Sequence, residues 1–372
     1  MSPQKPPTLK ENLFFNPPQT NLPFLTSPPQ YPIHPLISTP NSTSNEQWEF
    51  DGISSDGLSS FIFGFYRDPT FSFFGTGNLR MYAEFTFANK SRYAIVDYAE
   101  ESEVITCPGI GTRGTWRNDK QFEYFFEVSE DFKYVKIGIN NPEVKGLIEI
   151  ESIAEARYTN SKVWGDTKGE VWTGIEYFYH FEPIPAAEVK VDVVIHGEKI
   201  QWKGLGGHER LWAAFNWFSC LEGLLVARFK VGRFAVSFLE FFKGENRKGS
   251  VVINEKGRQV FGSTEQKEGE RDWFMLERVY GGKGITTEKL EDKVTGMRLK
   301  MVSPGRNTTW EFELWHRNVA FEYNLGSGRG GTGYSGLVKG GLVGEEKEEE
   351  GPAFSEVMRF PERSLLLKKN FV

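Results

Sequence analysis

The sequence predicts an all-β protein in which two antiparallel barrels or sandwiches follow one another behind a proline-rich arm. Three observations predict this. Runs of β-branched and aromatic residues, each closed by Gly, Pro, Asn or Asp, recur along most of the 372 residues. Long stretches of helical periodicity are absent between them. Where alternation is cleanest, in VKVDVVIHG, Val189, Val191 and Val193 share one face and Lys190 and Asp192 the other, as in a sheet with one wet side. Length favours two domains of ordinary size.

Residues 1–44 hold eleven of the nineteen prolines and few charges, so neither helix nor sheet is expected to propagate there. Phe14, Phe15, Phe24, Leu25, Tyr31 and Ile33 make this arm unlike a solvated linker, and it is expected to be partly disordered or docked on the body. An N-terminal β-domain over 45–203 follows from SSFIFGFYRDP, RMYAEFTF, FEYFFEV, YVKIGI, WTGIEYFYHFEPIP and AEVKVDVVIHG. The stretch GLGGHERLWAAFNW, 204–217, shows neither helical nor strand periodicity and is read as the crossing between domains, with Trp212 and Trp217 anchoring it in apolar surface. A C-terminal β-barrel domain over 218–372 follows from LLVARFK, RFAVSFLEFF, SVVIN, RLKMVS and TTWEFELWHRNVAFEYN. GSGRGGTG at 326–333 sits among strands and reads as a flexible loop, and GEEKEEEG as a solvated one.

A net charge of −6 with scattered Lys and Arg gives no footprint for nucleic acid or an anionic membrane. No stretch approaches 18 apolar residues, and the first residues lack a basic-then-apolar leader, so no membrane insertion and a cytoplasmic location are expected. Cys107 and Cys220 have no disulfide or metal spacing, the five histidines are dispersed, and no phosphate-cradling glycine motif opens a helix; neither metal nor organic cofactor is expected. No GxSxG nucleophile motif occurs. Aromatic residues make up 15% of the chain and can line an organic-ligand pocket as readily as fill a core. Chemistry that needs only a shaped cavity fits best. Holding a polyene in a near-attack conformer lowers a barrier by roughly 7–11 kcal/mol, and hydrogen bonds to a conjugated carbonyl strengthen in the transition state.

Three stretches together resemble the lipocalin-like fungal Diels-Alderases, pericyclases that form decalins and isoindolones and are distant relatives of the carotenoid hydratases. EQWEFDGISSDGLSSFIFGFYRDP at 46–69 resembles that family's opening strands, with Glu46, Trp48, Phe50 and Asp51 on the motif positions. GLGGHERLW is similar to its Gly-Gly-x-Asp/Glu-Arg-x-Trp segment, and WEFELWHRNVAFEYNLGSGRGGTGYSGLVKGG at 310–341 to its last strands. The resemblance implies two lipocalin-like β-domains side by side, a substrate pocket in or beside the first, and no cofactor. It implies a stereoselective [4+2] cycloaddition of a hydrophobic polyene in polyketide or polyketide–peptide biosynthesis, with pathway enzymes as possible partners. Two alternatives stay open: dehydration to a quinone methide before a hetero-cycloaddition with a terpene, and a non-catalytic carrier of hydrophobic metabolites.

Candidate catalytic groups are Glu46, which occupies the opening glutamate position, Tyr66, Arg80, Tyr82, Glu84, His208 and Lys339. The even spacing of Arg80, Tyr82 and Glu84 puts them on one strand face, either a polar lumen or a wet outer surface; Met81, Ala83 and Phe85 take the other. His208 or Glu209 can move a proton, or Glu209 and Arg210 can simply satisfy interdomain partners. Lys339 is either a donor to a carbonyl head group or solvent-exposed. Candidate substrate-binding residues are Trp48, Phe65, Trp212, Trp217 and Trp315.

Overall fold

The computed structural model describes residues 8–12, 30–37, 44–68, 78–119, 121–215, 217–345 and 349–361. Thirteen strands build a first sheet: β1 Thr8–Asn12, β2 Asn45–Ser54, β3 Ser60–Arg67, β4 Leu79–Thr86, β5 Arg92–Tyr98, β6 Glu101–Cys107, β7 Gly111–Asn118, β8 Phe122–Ser129, β9 Tyr134–Asn140, β10 Val144–Ser152, β11 Arg157–Tyr158, β12 Phe178–Ile195 and β13 Glu198–Ala213. After a single helical turn, α1 Trp217–Cys220, nine more form a second sheet. These are β14 Gly223–Val231, β15 Phe234–Lys243, β16 Asn246–Glu255, β17 Arg258–Ser263, β18 Trp273–Tyr280, β19 Val294–Ser303, β20 Thr308–Gly326, β21 Arg329–Leu342 and β22 Glu349–Arg359.

Pairing in the first sheet runs β1-β6-β7-β8-β9-β10-β12-β13-β2-β3-β4-β5, with β11 beside β12. The sheet is curled: β5 lies at one edge, yet the Tyr124 hydroxyl on β8 donates to Asp97 on β5. Inside the curl Trp48 meets Trp116 at 5.4 Å between ring centroids, and Phe65 meets Phe126 at 5.1 Å. Met81, Ala83 and Phe85 also point inward and are buried. Each large apolar side chain so buried contributes about 1.5–3 kcal/mol. The second sheet runs β17-β16-β15-β14-β22-β21-β20-β19-β18 around its own core of Phe229, Phe238, Phe274, Met297 and Phe312.

The arm docks where it is described. Residues 30–37 cover the first core: Ile33 and Ile37 are buried, the Trp48 indole donates to the Ile33 carbonyl at 2.7 Å, and Arg210 Nε donates to Pro32 O at 3.1 Å. The Leu36 amide donates to Glu46 at 2.7 Å, and Glu46 itself pairs with Arg67 at 2.7 Å and Arg210 at 2.5 Å. Contrary to expectation, the arm also carries a strand, since β1 pairs antiparallel with β6; Thr8–Asn12 is a proline-free stretch and so retains every amide donor a ladder needs. Phe14, Phe15, Phe24 and Leu25 lie outside the described residues.

The crossing also differs from expectation. Residues 204–213 are no irregular link but the second half of β13, paired to β12 and β2, and the chain passes between sheets after Ala213. The glycines are there for close approach. A Cβ on Gly204 or Gly206 would strike the carbonyl oxygen of Ile53 or Asp51, and one on Gly207 would strike the Arg228 guanidinium and the Ile184 carbonyl oxygen. That Arg228, from the second sheet, pairs with Asp51 and, at 3.0 Å, with Glu182; its Nε donates to Pro185 O at 2.7 Å. Glu182 in turn pairs with Arg157 and accepts from Ser237 at 2.7 Å. A buried ionic network thus pins the outer faces of the two sheets together.

Candidate active site

Strand alternation builds a cavity between those two outer faces. On β2, Trp48 and Phe50 turn into the first barrel, which sends Gln47 and Glu49 outward; on β13, His208, Arg210 and Trp212 turn in and Glu209 and Leu211 out. Tyr66 from β3 and Arg80 and Tyr82 from β4 complete this polar wall. The facing wall is mainly apolar, with Leu224, Val226, Leu239, Phe241, Met358 and Phe360 among its side chains and Glu356 as its carboxyl. The cavity measures about 300 Å3 and is partly open to solvent, at the small end of the range for organic ligands.

Glu49 and Glu209 are direct cross-strand partners. Like charges so placed repel, and both groups are shielded from bulk water although they face the cavity. Burial first, then the neighbouring carboxylates, lifts each to about 8. Glu356 is raised well above the usual carboxylate range by burial and by Glu49 and Glu209, against a smaller opposing pull from Arg228. At neutral pH the wall therefore offers carboxylic acids, which can donate a hydrogen bond as a carboxylate cannot. Arg80 lies over the Tyr66 ring, 4.2 Å from its centroid, and pairs with Asp68 at 3.3 Å; the Tyr82 hydroxyl donates to Glu84. Among the described residues no group of three His, Cys, Asp or Glu side chains is placed to hold a metal ion.

The same burial governs stability. Glu49, Glu209 and Glu356 have folded pKa values raised above 4.5, so their stabilisation is complete below that value and is lost as pH rises, through about 8 for Glu49 and Glu209. His180, His208 and His316 are lowered from 6.5 to about 3 by burial, so theirs is present above 6.5 and lost as pH falls through about 3. Unfolding free energy measured by denaturant titration is therefore expected to be highest on a plateau between about pH 4.5 and 6.5 and to decline on both sides. A monotonic rise from pH 5 to pH 8 would contradict this assignment.

Of the residues singled out from sequence, Tyr66, Arg80, Tyr82 and Trp217 line the cavity, and Glu84 stands behind Tyr82. The face shared by Arg80, Tyr82 and Glu84 is the outer one, covered by the second sheet, not a lumen. The other candidates lie elsewhere. Glu46 and Trp48 hold the docked arm, because their register points into the first barrel. Phe65 is in that barrel's aromatic core, and Trp212 is buried there against Tyr179. His208 is fully buried, stacked on Phe50 at 4.1 Å with Nδ1 2.8 Å from the Glu49 carbonyl, so it faces away from the cavity. Lys339 pairs loosely with Glu313 at 3.8 Å and Trp315 sits under Lys283, both away from the cavity lining on the outside of the second sheet. Glu49, Glu356, Gln47 and Tyr323 were not singled out. Alternation alone could have found three of them, since Gln47-x-Glu49-x-Asp51 and Phe354-x-Glu356-x-Met358 each run along one strand face and set at least one carboxyl on it.

Residues 13–361 match the Diels-Alderase-like family. The chain is 42% identical to Diels-Alderase cheD of Chaetomium globosum over 94% of its own length and 82% of that protein's. It is 41% identical to phmD of Phaeosphaeria nodorum, covering 91% and 94%, and 41% identical to ffsF of Aspergillus flavipes, covering 97% and 86%; both are Diels-Alderases. Among solved structures CghA, also solved with Sch210972, superposes with a TM-score of 0.81 at 21% identity over 96% of this chain and at least 98% of that one. Kievitone hydratase from Nectria haematococca shares the fold more loosely, with a TM-score of 0.50 at 13% identity over 93% and 98% of the two chains.

Proposed function

The chain belongs to the Diels-Alderase-like family, and from that premise we propose that it folds a linear or macrocyclic polyene in the cavity between its two sheets and directs a stereoselective intramolecular [4+2] cycloaddition. The observation that carries this reading is the division of the cavity into an apolar wall and a wall of buried carboxyls. The apolar side chains of β14, β15 and β22 restrain the polyene. The acid form of Glu209 or Glu49 donates to the carbonyl conjugated with the dienophile, and that bond strengthens as electron density moves onto the oxygen. This scheme draws only on groups of the chain, acts on a polyketide or polyketide–peptide intermediate, and suits a cytoplasmic enzyme whose Cys107 and Cys220 are both unpaired.

A carrier of the same metabolite would have no use for three carboxyls buried against its ligand, which favours catalysis. The dehydrating alternative loses His208, which faces the barrel interior, and retains only Glu209.

Purified protein given a conjugated polyene bearing a tetramate or pyrrolinone head is expected to speed ring closure and to narrow the diastereomer ratio. Activity should fall above about pH 8 as the donor acids ionise. An unchanged closure rate together with an unchanged ratio would refute the proposal.

A further inference from the structure

His180 on β12 is fully buried, and neither ring nitrogen has a hydrogen-bond partner. A buried polar group left so demands a reason. Its Nε2 lies 3.5 Å from Oε2 of Glu209, just beyond a formed bond. The backbone brings the two together. Phe181 pairs with Arg210 and Ile184 with His208, so Glu182 and Pro183 together oppose the single residue Glu209 in a β-bulge. Bulges of this kind re-aim side chains beside active sites.

The groups facing His180 are few. Glu182 lies two residues along its own strand, Arg157 on β11, Glu209 on β13, and from the second sheet the Phe241 ring stands edge-on at 5.6 Å between centroids. Glu182 and Arg157 are already engaged with each other. Glu209 is left as the group His180 can serve.

We infer that His180 is a positioning residue for the cycloaddition: its Nε2–H donates to Oε2 of Glu209, which fixes the carboxyl so that the proton on Oε1 points into the cavity. The ring then keeps a bare acceptor at Nδ1, and the acid presents one defined donor to the substrate carbonyl. Burial supports the neutral state of both partners, since it drives the imidazole down and the carboxyl up. The inference rests on the proposed reaction for its kinetic consequence but not for the contact itself.

The test compares His180→Leu with His180→Gln, whose side-chain amide can donate to the same oxygen. Cycloaddition kinetics from pH 6 to 9.5 are expected to show kcat lowered roughly 10- to 100-fold in His180→Leu with KM little changed. The alkaline limb should move upward, because the ionised carboxylate loses a donor. His180→Gln should recover most of kcat. The acid C=O stretch, assigned by its disappearance in Glu209→Gln, should shift to higher wavenumber in His180→Leu and stay near its wild-type position in His180→Gln. Equal losses in both variants, or an unmoved alkaline limb and C=O band in a folded His180→Leu, would overturn the inference. Should the wild type catalyse no cycloaddition, the proposed function fails, and the infrared comparison still decides whether His180 holds Glu209.

Discussion

Leu224→Trp is expected to lower kcat/KM for cycloaddition by roughly two orders of magnitude, the cost of misplacing reacting atoms by about 1 Å, while leaving the unfolding transition close to that of the wild type. Leu224 projects from β14 into the cavity and is only partly buried. An indole there has open space to occupy and displaces ligand before it displaces protein. Rate and binding separate the possible causes: product affinity should weaken together with kcat/KM, because the volume lost is volume the guest needs. The same substitution at Val343, exposed and away from the cavity, should leave both unchanged. Full activity in Leu224→Trp would mean that the chemistry happens elsewhere.

The second large effect concerns what holds the cavity's walls in place. Arg228→Leu strands Asp51 and removes one of the two cations on Glu182, both buried at the join of the sheets. Removing one member of a buried pair costs about 3–5 kcal/mol, because the charge left behind has neither water nor partner. Against a total stability of roughly 5–15 kcal/mol this is a large fraction. The loss should appear in equilibrium unfolding by urea, and activity should fall further than the unfolded fraction explains, since the walls are set by the same contact. A change under about 1 kcal/mol would show that the network is merely accommodated by the fold. Arg228 also pulls Glu49 and Glu356 toward ionisation, so its removal should raise the pH at which the active acids are lost.

Much of the fold is legible in the residues. The alternation of Val189, Val191 and Val193 with Lys190 and Asp192 predicts a one-sided strand, and those valines are buried in the first core. Less legible is GLGGHERLW, because its glycines look like a break while serving as the smooth surface that lets Ile53, Asp51 and Arg228 come close. A strand whose side chains are missing by design carries no periodic signal. The site was half visible for a related reason. Arg80, Tyr82 and Glu84 were placed on one face correctly, but a single sequence does not say that a second sheet, more than a hundred residues later, covers that face.

Neighbouring residues in one motif also part company. Glu46 and Glu49 are three positions apart on β2, so they fall on opposite faces; the first binds the arm and the second lines the cavity. His208 and Glu209 divide in the same way. For such pairs the chemistry of the residue type is a poor guide, and strand parity is the better one.

A structure of the protein with its cycloadduct bound tests the central claim most directly. The account predicts the adduct between the outer faces of the two sheets, its carbon skeleton against β14, β15 and β22 and its carbonyl about 2.7–3.2 Å from a carboxyl oxygen of Glu209 or Glu49. An adduct seated inside either barrel, with the cavity between the sheets left empty, would contradict it.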